Sequence, residues 1–167
     1  VRKLNSQRQI VQSAAAIGGS PKTIGTAVDL LNLLMLQYGA RMTTPDFSAA
    51  DFNSESGDAG LAALAFYLQF ANAGSPLYTW NDALPNNVES FSAGKTAMIF
   101  DYQKRIAEVK NRAPFMRLVD APVPQRGEGN LEVAYPDYLG LAVAKRASSP
   151  AAAWAFVIAA TTNHDVM

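Results

Sequence analysis

The segment that most constrains the fold is FSAGKTAMIFDY, residues 91–102, because it changes from helical to strand character within a few residues. Apolar residues up to Phe91 keep helical spacing, and Gly94 can adopt the positive φ angle of a helix C-cap. Residues 97–100 are apolar throughout, which predicts a buried strand. That strand would place Asp101 and Tyr102 at its C-terminal end, the edge at which open α/β sheets bind ligands. An aromatic ring beside a carboxylate at that edge is therefore a binding-site hypothesis.

Helices and strands alternate along the rest of the chain, which predicts an α/β fold with a mixed sheet flanked by helices. The predicted helices cover residues 23–38, 57–72, 86–93, 103–112 and 151–160. The predicted strands cover residues 9–17, paired back to residues 1–4, and residues 97–100, 116–121, 131–135 and 139–144. In the helix over 57–72, helical periodicity predicts a buried face made by Leu61, Leu64, Ala65 and Leu68.

The composition limits the classes of protein and site that the chain can form. Its 167 residues are about half apolar (49%), enough to bury the core of one ordinary domain without metals or disulfides. The 14 basic residues balance the 14 acidic ones, which argues against a nucleic-acid surface or a polybasic membrane patch. The absence of cysteine excludes thiol nucleophiles, thiolate metal sites and structural disulfides. No apolar run reaches the roughly 18 residues expected of a membrane helix.

Catalytic and cofactor motifs are nearly absent, so the sequence predicts no enzyme, no cofactor and no metal site. His164 is the single histidine and lies in the last few residues, a poor position for a catalytic triad. No P-loop, dinucleotide fingerprint, G-x-S-x-G elbow or H-E-x-x-H motif occurs. A carboxylate pair such as Asp101 and Glu132 would suit glycoside hydrolysis, but nothing in the sequence brings the two together. A carboxylate-dependent hydrolase or lyase is kept as an alternative to a binding protein.

Aromatic residues outside the helices give the stronger functional signal. They fall in loops or at strand ends, beside acidic and amide side chains: Tyr78, Trp80, Tyr102, Tyr135 and Tyr138. Sugar-binding sites use such neighbours, because flat rings cover the apolar face of a pyranose while carboxylates and amides bind its hydroxyls. The alternative is that these rings pack at the edge of the core or against another part of the protein.

Several segments carry a resemblance to a known family: SFSAGKTAMIFDY, FMRLVDAPVPQ and YLGLAVAKRASSPAAAWAFV, in that order. With AAAIGGSPKTIGTAVDLLNLLMLQYGARM and LYTWNDALPNNVESF, they are similar to the extracellular solute-binding proteins of ABC importers, in the maltose-binding-protein-like cluster. No single motif is diagnostic, but several in register make the resemblance specific, and it covers nearly the whole chain. The departure is Gln103-Lys104-Arg105, where many members carry small or aromatic residues. Two cations at this point open the alternative of an anionic or peptide-like solute.

The resemblance implies a fold of two α/β lobes with a ligand cleft between them. Residues 1–124 would form the α/β core of the C-terminal lobe, and residues 125–138 a hinge or crossover segment. Residues 139–167 would supply a strand and a helix to the other lobe. That last segment would expose an apolar patch unless it folds back, pairs with a second copy or meets lobe material absent from this chain. Both ends of the sequence look cut, so we expect a piece of a longer protein.

The function that the resemblance implies is solute capture without catalysis. The partners would be a small-molecule solute, with a carbohydrate favoured, the membrane permease of an ABC importer and the missing N-terminal lobe. The protein would be exported, either to the periplasm or to the cell surface as a lipoprotein whose signal is not in this chain. The residues expected to bind solute are Thr23, Tyr78, Trp80, Asp101, Tyr102 and Tyr138. A further alternative is a non-catalytic interaction module that docks through Trp154.

Overall fold

The computed structural model describes residues 2–7, 9–52, 57–127 and 132–162, and the chain divides into two compact units, residues 1–135 and 136–167. The first unit contains, in chain order, β1 (Lys3–Leu4), β2 (Ile10–Ala16), α1 (Ala27–Gln37), α2 (Ala59–Gln69), α3 (Asn87–Ser92), β3 (Thr96–Ile99) and α4 (Arg105–Arg112). The second unit contains α5 (Pro150–Thr162). Strands and flanking helices build a mixed sheet of three strands, which confirms the predicted α/β fold.

The sheet has the strand order β1-β2-β3, with one antiparallel and one parallel pair. The antiparallel pair joins β1 to β2, as the sequence predicts for residues 9–17 and 1–4. The parallel pair joins β2 to β3 with Ser13 opposite Thr96 and Ala16 opposite Ile99. Because parallel strands end on the same side of a sheet, the residues that follow β2 and those that follow β3 meet at one edge.

The predicted helix, turn and strand around Gly94 are confirmed, but the predicted burial of the strand is not. The side chain of Asn86 caps α3 by accepting a 3.0 Å hydrogen bond from the Val88 N–H, and Gly94 has a φ of +68°. Met98, in the middle of β3, is 53% exposed. Among the described residues β3 pairs on one edge only, so no further strand covers its other side.

The core lies where α1 and α2 pack together over the sheet. Its buried members are Ala15, Ile17, Leu30, Leu33, Leu34, Ala63 and Tyr67. The buried face predicted for α2 was wrong, because Leu61 and Leu68 are exposed while Gly60, Ala63 and Tyr67 are buried. The reason is close packing at Gly60, where an added Cβ would lie 2.3 Å from the carbonyl oxygen of Phe52. Gly60 thus allows this face of α2 to lie close to the backbone of Phe52, while Leu61 and Leu68 occupy the outer face.

Two predicted strands, residues 116–121 and 139–144, were wrong, because the structure gives both stretches irregular backbone. Residues 132–135 of a third predicted strand are also irregular, and Leu131 lies outside the described residues. Val119 and Leu139 are almost fully exposed. A strand requires a neighbour for its backbone hydrogen bonds, and none of the described strands pairs with these stretches. In the second unit, the predicted terminal helix is confirmed as α5, but none of its residues is buried.

Candidate functional site

Two short segments meet at the C-terminal edge of the parallel strands. We call residues Gly18–Thr23, which follow β2, the β2 turn, and residues Asp101–Arg105, which follow β3, the β3 edge. Two hydrogen bonds connect the chain around them: the Thr26 hydroxyl donates to the carbonyl of Phe100 at 2.8 Å, and the Asn87 N–H donates to the carbonyl of Thr23 at 2.8 Å. The topology therefore brings the predicted residues Thr23, Asp101 and Tyr102 to one side of the sheet, as expected for a ligand-binding edge.

The β2 turn is built around the indole of Trp80, which is 0% exposed. The indole Nε1–H donates to the hydroxyl oxygen of Thr23 at 3.1 Å. That hydroxyl in turn donates to Oδ1 of Asp82 at 2.7 Å, and the Ser20 N–H donates to the same oxygen at 2.9 Å. Hydrogen bonds from Ser20, followed by the bond from Thr23, lower the pKa of Asp82. The polar groups of this network therefore satisfy one another without a ligand.

Glycines allow the β2 turn to pack tightly over Trp80 and α2. A Cβ added to Gly19 would lie 2.6 Å from Cδ1 of Trp80. Gly18 has a φ of +94°, and a Cβ there would lie 2.8 Å from the backbone nitrogen of Ala71. The hydroxyl of Tyr67, in α2, donates to the carbonyl of Gly19 at 2.6 Å. Burial raises the pKa of Tyr67 to about 12. Tyr67 was not predicted as a functional residue, and its position in a helix gave no sequence signal of this contact.

Trp80 and Thr23 therefore differ from the sequence-based expectation that they contact a solute from loops. Both side chains are buried, and their polar atoms bond to each other and to Asp82. A loop position alone does not expose an indole, because a large apolar ring gains more from burial under the turn than from contact with water. In the structure these two residues support the β2 turn.

The β3 edge has a different character, because residues 103–105 are exposed and Tyr102 is partly buried, although the side chain of Asp101 is only 7% exposed. The carboxylate of Asp101 accepts a 2.8 Å hydrogen bond from the Tyr102 N–H and lies 3.6 Å from Nε of Arg105. Burial raises the pKa of Asp101, and the Tyr102 N–H, Arg105 and the amide of Asn87 oppose that rise. The Lys104 ammonium lies 5.3 Å from the centroid of the Tyr102 ring. The edge thus combines an aromatic ring, a carboxylate and two cations.

Asn87 is the residue of this edge that sequence reasoning missed. It is 1% exposed at the start of α3, and within the described part of the chain its Nδ2 has no hydrogen-bond partner. The same amide opposes the rise in the pKa of Asp101, as a donor close to that carboxyl group does. The sequence predicts a helix over residues 86–93 and gives no sign that the side chain of Asn87 is buried.

The last two predicted residues are Tyr78, in the first unit, and Tyr138, in the second. Tyr78 is half-buried on the β1 side of the sheet, where its carbonyl accepts a hydrogen bond from the Arg2 guanidinium and its hydroxyl accepts one from the Asn81 amide. It borders an open cavity of about 560 Å³ next to β1. Tyr138 belongs to the second unit, where it is largely exposed.

The described residues contain no group of three or more His, Cys, Asp and Glu side chains able to hold a metal ion. His164, the histidine considered for a triad, lies outside the part of the chain that the structure describes. Among the helices that are described, none is long and apolar enough to cross a membrane. The side chains of the β3 edge offer hydrogen bonding, ion pairing and ring stacking.

Comparison with known families indicates a binding role for the chain. Residues 21–167 match the family described as bacterial extracellular solute-binding protein. Because the match covers most of the chain, the protein belongs to that family. Its members capture solutes for transport outside the cytoplasm and are in general not catalytic. Comparisons with curated proteins and with solved structures give no significant match.

Proposed function

We propose that this chain is the substrate-capture component of an ABC importer for a sugar or oligosaccharide, and that it binds the solute at the β3 edge without catalysing a reaction. The observation that carries the proposal is the position of Asp101 and Tyr102 directly after a strand that runs parallel to its neighbour. Membership of the solute-binding family supports capture rather than turnover. A ring to cover a sugar face and a carboxylate to accept from its hydroxyls make a suitable half-site.

The other half of the site would come from a second lobe, as in maltose-binding-like proteins. In this proposal, residues 1–124 are the core of the C-terminal lobe, residues 125–138 the hinge, and residues 139–167 part of the N-terminal lobe. Closure of two lobes on the solute changes the surface shown to the permease, because the solute stabilises the closed population. The protein would work outside the cytoplasm, in the periplasm or as a surface lipoprotein.

Contacts of the proposed hinge fit a segment that is anchored at its start. The Gln37 amide donates to the carbonyl of Pro124 at 3.0 Å, and the Gln125 amide donates to the carbonyl of Val133 at 3.1 Å. The Val133 N–H donates back to Oε1 of Gln125 at 2.9 Å, which closes a small loop. The Arg126 guanidinium lies 4.0 Å from the centroid of the Tyr38 ring on the chain after α1. A hinge tied to α1 in this way would transmit lobe motion without loosening the core.

The experiment that tests the proposal is isothermal calorimetry with a panel of neutral mono- and oligosaccharides. We expect weak binding by the 167-residue chain, since one lobe supplies half of the contacts, and tighter binding by the whole product of its gene. In that whole protein, Tyr102→Ala should raise the Kd roughly 3- to 10-fold through loss of ring contact. The matched control is Phe115→Ala, which removes another exposed ring of the same lobe.

Either of two results would contradict the proposal. The first is submicromolar affinity of the 167-residue chain alone, which would mean that no second lobe is needed. The second is an unchanged Kd in Tyr102→Ala, which would move the site away from the β3 edge. Turnover of a glycoside that disappears in Asp101→Asn would replace the proposal with the hydrolase alternative.

A further inference from the structure

A small cavity lies at the amino ends of β2 and β3, the ends opposite to the β3 edge. Its volume is about 300 Å³, at the lower limit of the sizes of small-molecule sites, ~300–1,000 Å³. One part of its wall is apolar and is formed by Ile10, Val11, Leu84 and Pro85. The other part is polar and is formed by Ser90, Lys95 and Thr96. The cavity therefore has the two kinds of surface that an amphipathic small molecule requires.

Backbone hydrogen bonds hold the polar part of the wall in place. The Ser13 N–H donates to the carbonyl of Lys95 at 2.8 Å, and the Lys95 N–H donates to the carbonyl of Ser90 at 2.8 Å. The Ser90 hydroxyl donates to the carbonyl of Pro85 at 3.4 Å. These bonds join β2, α3 and the loop before α3 to the start of β3. The wall is therefore formed without a ligand, which lowers the cost of binding.

Two groups of the polar wall have no partner among the described residues. Thr96 is 3% exposed, and its Oγ1 is buried without a hydrogen bond. A buried hydroxyl without a partner is unfavourable, and an acceptor in a ligand would relieve that cost. Lys95 is exposed, and its ammonium group belongs to none of the ion pairs within the described part of the chain. A hydroxyl donor and a cation in adjacent residues of one wall both favour a carboxylate.

We propose that this cavity binds a small molecule with one carboxylate and an apolar body, an aryl or short alkyl acid. The carboxylate accepts from the Thr96 hydroxyl and pairs with Lys95, while the apolar body packs against Ile10, Val11 and Leu84. A neutral molecule of the same shape binds less well, because it does not pair with the ammonium group. This site lies beyond the proposed function, because it is at the other end of the strands and takes a ligand of another class.

The test is a titration of the ¹⁵N-labelled 167-residue chain with benzoate, hexanoate and the neutral benzamide, followed by amide chemical shifts. We expect saturable shifts at residues 10–11, 90 and 95–96, and a Kd at least about 5-fold lower for one of the two carboxylates than for benzamide. Added salt should weaken the binding of that carboxylate. Absence of saturable shifts with both carboxylates, shifts centred on other residues, or equal binding of benzamide would overturn the inference.

The decisive variant is Thr96→Val, which replaces the hydroxyl by a methyl group of similar size. Because the hydroxyl has no partner among the described residues, the urea midpoint of unfolding should stay the same or rise. The Kd of the carboxylate should rise roughly 3- to 10-fold, because the ligand loses a donor. A lower midpoint with an unchanged Kd would show that the hydroxyl serves the fold, and would contradict the site.

The matched pair of charge variants is Lys95→Gln and Lys110→Gln, since both lysines are exposed and only Lys95 lines the cavity. Lys95→Gln should remove most of the preference for the carboxylate over benzamide, and Lys110→Gln should preserve it. Circular dichroism of both variants verifies that they are folded. Equal effects of the two variants would show that the overall charge attracts the anion, and would overturn the inference. The calorimetric panel of sugars on the whole protein judges the proposed function separately.

Discussion

The β2 turn and the β3 edge follow parallel strands at the same side of one sheet, yet they are built in opposite ways. The β2 turn is closed: Trp80 is fully buried, and the hydroxyl of Thr23 is bonded to the indole and to Asp82. The β3 edge is open: Arg105 is half exposed, and the buried amide of Asn87 has no partner among the described residues. The comparison teaches that position at the ligand-binding edge of a sheet does not make a residue a ligand contact.

Satisfaction of polar groups is what separates the two segments. A network whose donors and acceptors bond to one another gains rigidity and offers nothing to a solute. A segment whose polar side chains are exposed retains capacity for binding. The chain next to the two segments is connected by the bonds from Thr26 to Phe100 and from Asn87 to Thr23.

Removal of the buried indole of Trp80 is expected to give the largest loss of stability, because the β2 turn is closed and the β3 edge is open. Trp80→Ala should lower the free energy of unfolding by about 3–5 kcal/mol, because it leaves a cavity and deprives Thr23 of a donor. Urea denaturation followed by circular dichroism measures the loss. Trp154→Ala is the control, since this ring is 50% exposed on α5 and its removal should cost about 0.5 kcal/mol or less. Comparable losses of unfolding free energy in the two variants would show that the β2 turn is not packed closely around Trp80.

An intermediate effect is expected from filling the space at the β2 turn. Gly19→Ala places a methyl group 2.6 Å from Cδ1 of Trp80, so the indole or the turn must move. We expect a loss of about 1–3 kcal/mol in the free energy of unfolding, measured by urea titration. Gly25→Ala is the matched control, because a Cβ at Gly25 meets nothing within 4 Å. The tight packing of the turn would be refuted if the two alanine variants were equally stable.

The smallest effect is a difference in pH dependence between Asp82 and Asp101. The folded pKa of Asp82 is lowered from 3.8, so its contribution to stability is present above that value and is lost as the pH falls through the folded pKa. The folded pKa of Asp101 is raised from 3.8, so its contribution is present below that value and is lost as the pH rises through the folded pKa. In Asp82→Asn the free energy of unfolding should therefore fall less steeply at acid pH, by about 1 kcal/mol at most.

Thermal unfolding from acid to neutral pH measures both profiles. Asp101→Asn should raise the Tm at neutral pH relative to its effect in acid, since it removes the cost of burying an ionised carboxylate. The exposed Asp120→Asn variant is the control. Parallel profiles for the Asp82 and Asp101 variants would contradict the contrast between a satisfied and a desolvated carboxylate.

Much of the fold could be predicted from the sequence, because local signals specify its central elements. Helical spacing up to Phe91, the C-cap at Gly94 and the apolar residues after it predict a helix, a turn and a strand that the structure contains. Helical periodicity likewise indicated α1, α2, α4 and α5. The apolar pattern over residues 116–121 and 139–144 could not decide whether these residues form strands, since a strand also depends on a neighbour elsewhere in the chain.

The candidate site was predictable in its location but not in its composition. Asp101 and Tyr102 follow from the strand that ends before them, whereas the burial of Trp80 depends on Gly19 and Tyr67, which are distant in sequence. Asn87 was not predicted because its importance depends on its burial, and no local sequence pattern reveals that burial. Long-range packing therefore decided which of the residues near the sheet edge support the fold and which can bind.

Hydrogen–deuterium exchange of the whole protein, with and without the tightest-binding sugar of the panel, tests most directly where the solute is held. We predict that, within residues 1–135, slowed exchange is concentrated in residues 101–106, after β3, while residues 18–23, already bonded internally, exchange at the same rate in both states. Slowed exchange at residues 18–23 with none at residues 101–106 would contradict the assignment of capture to the β3 edge.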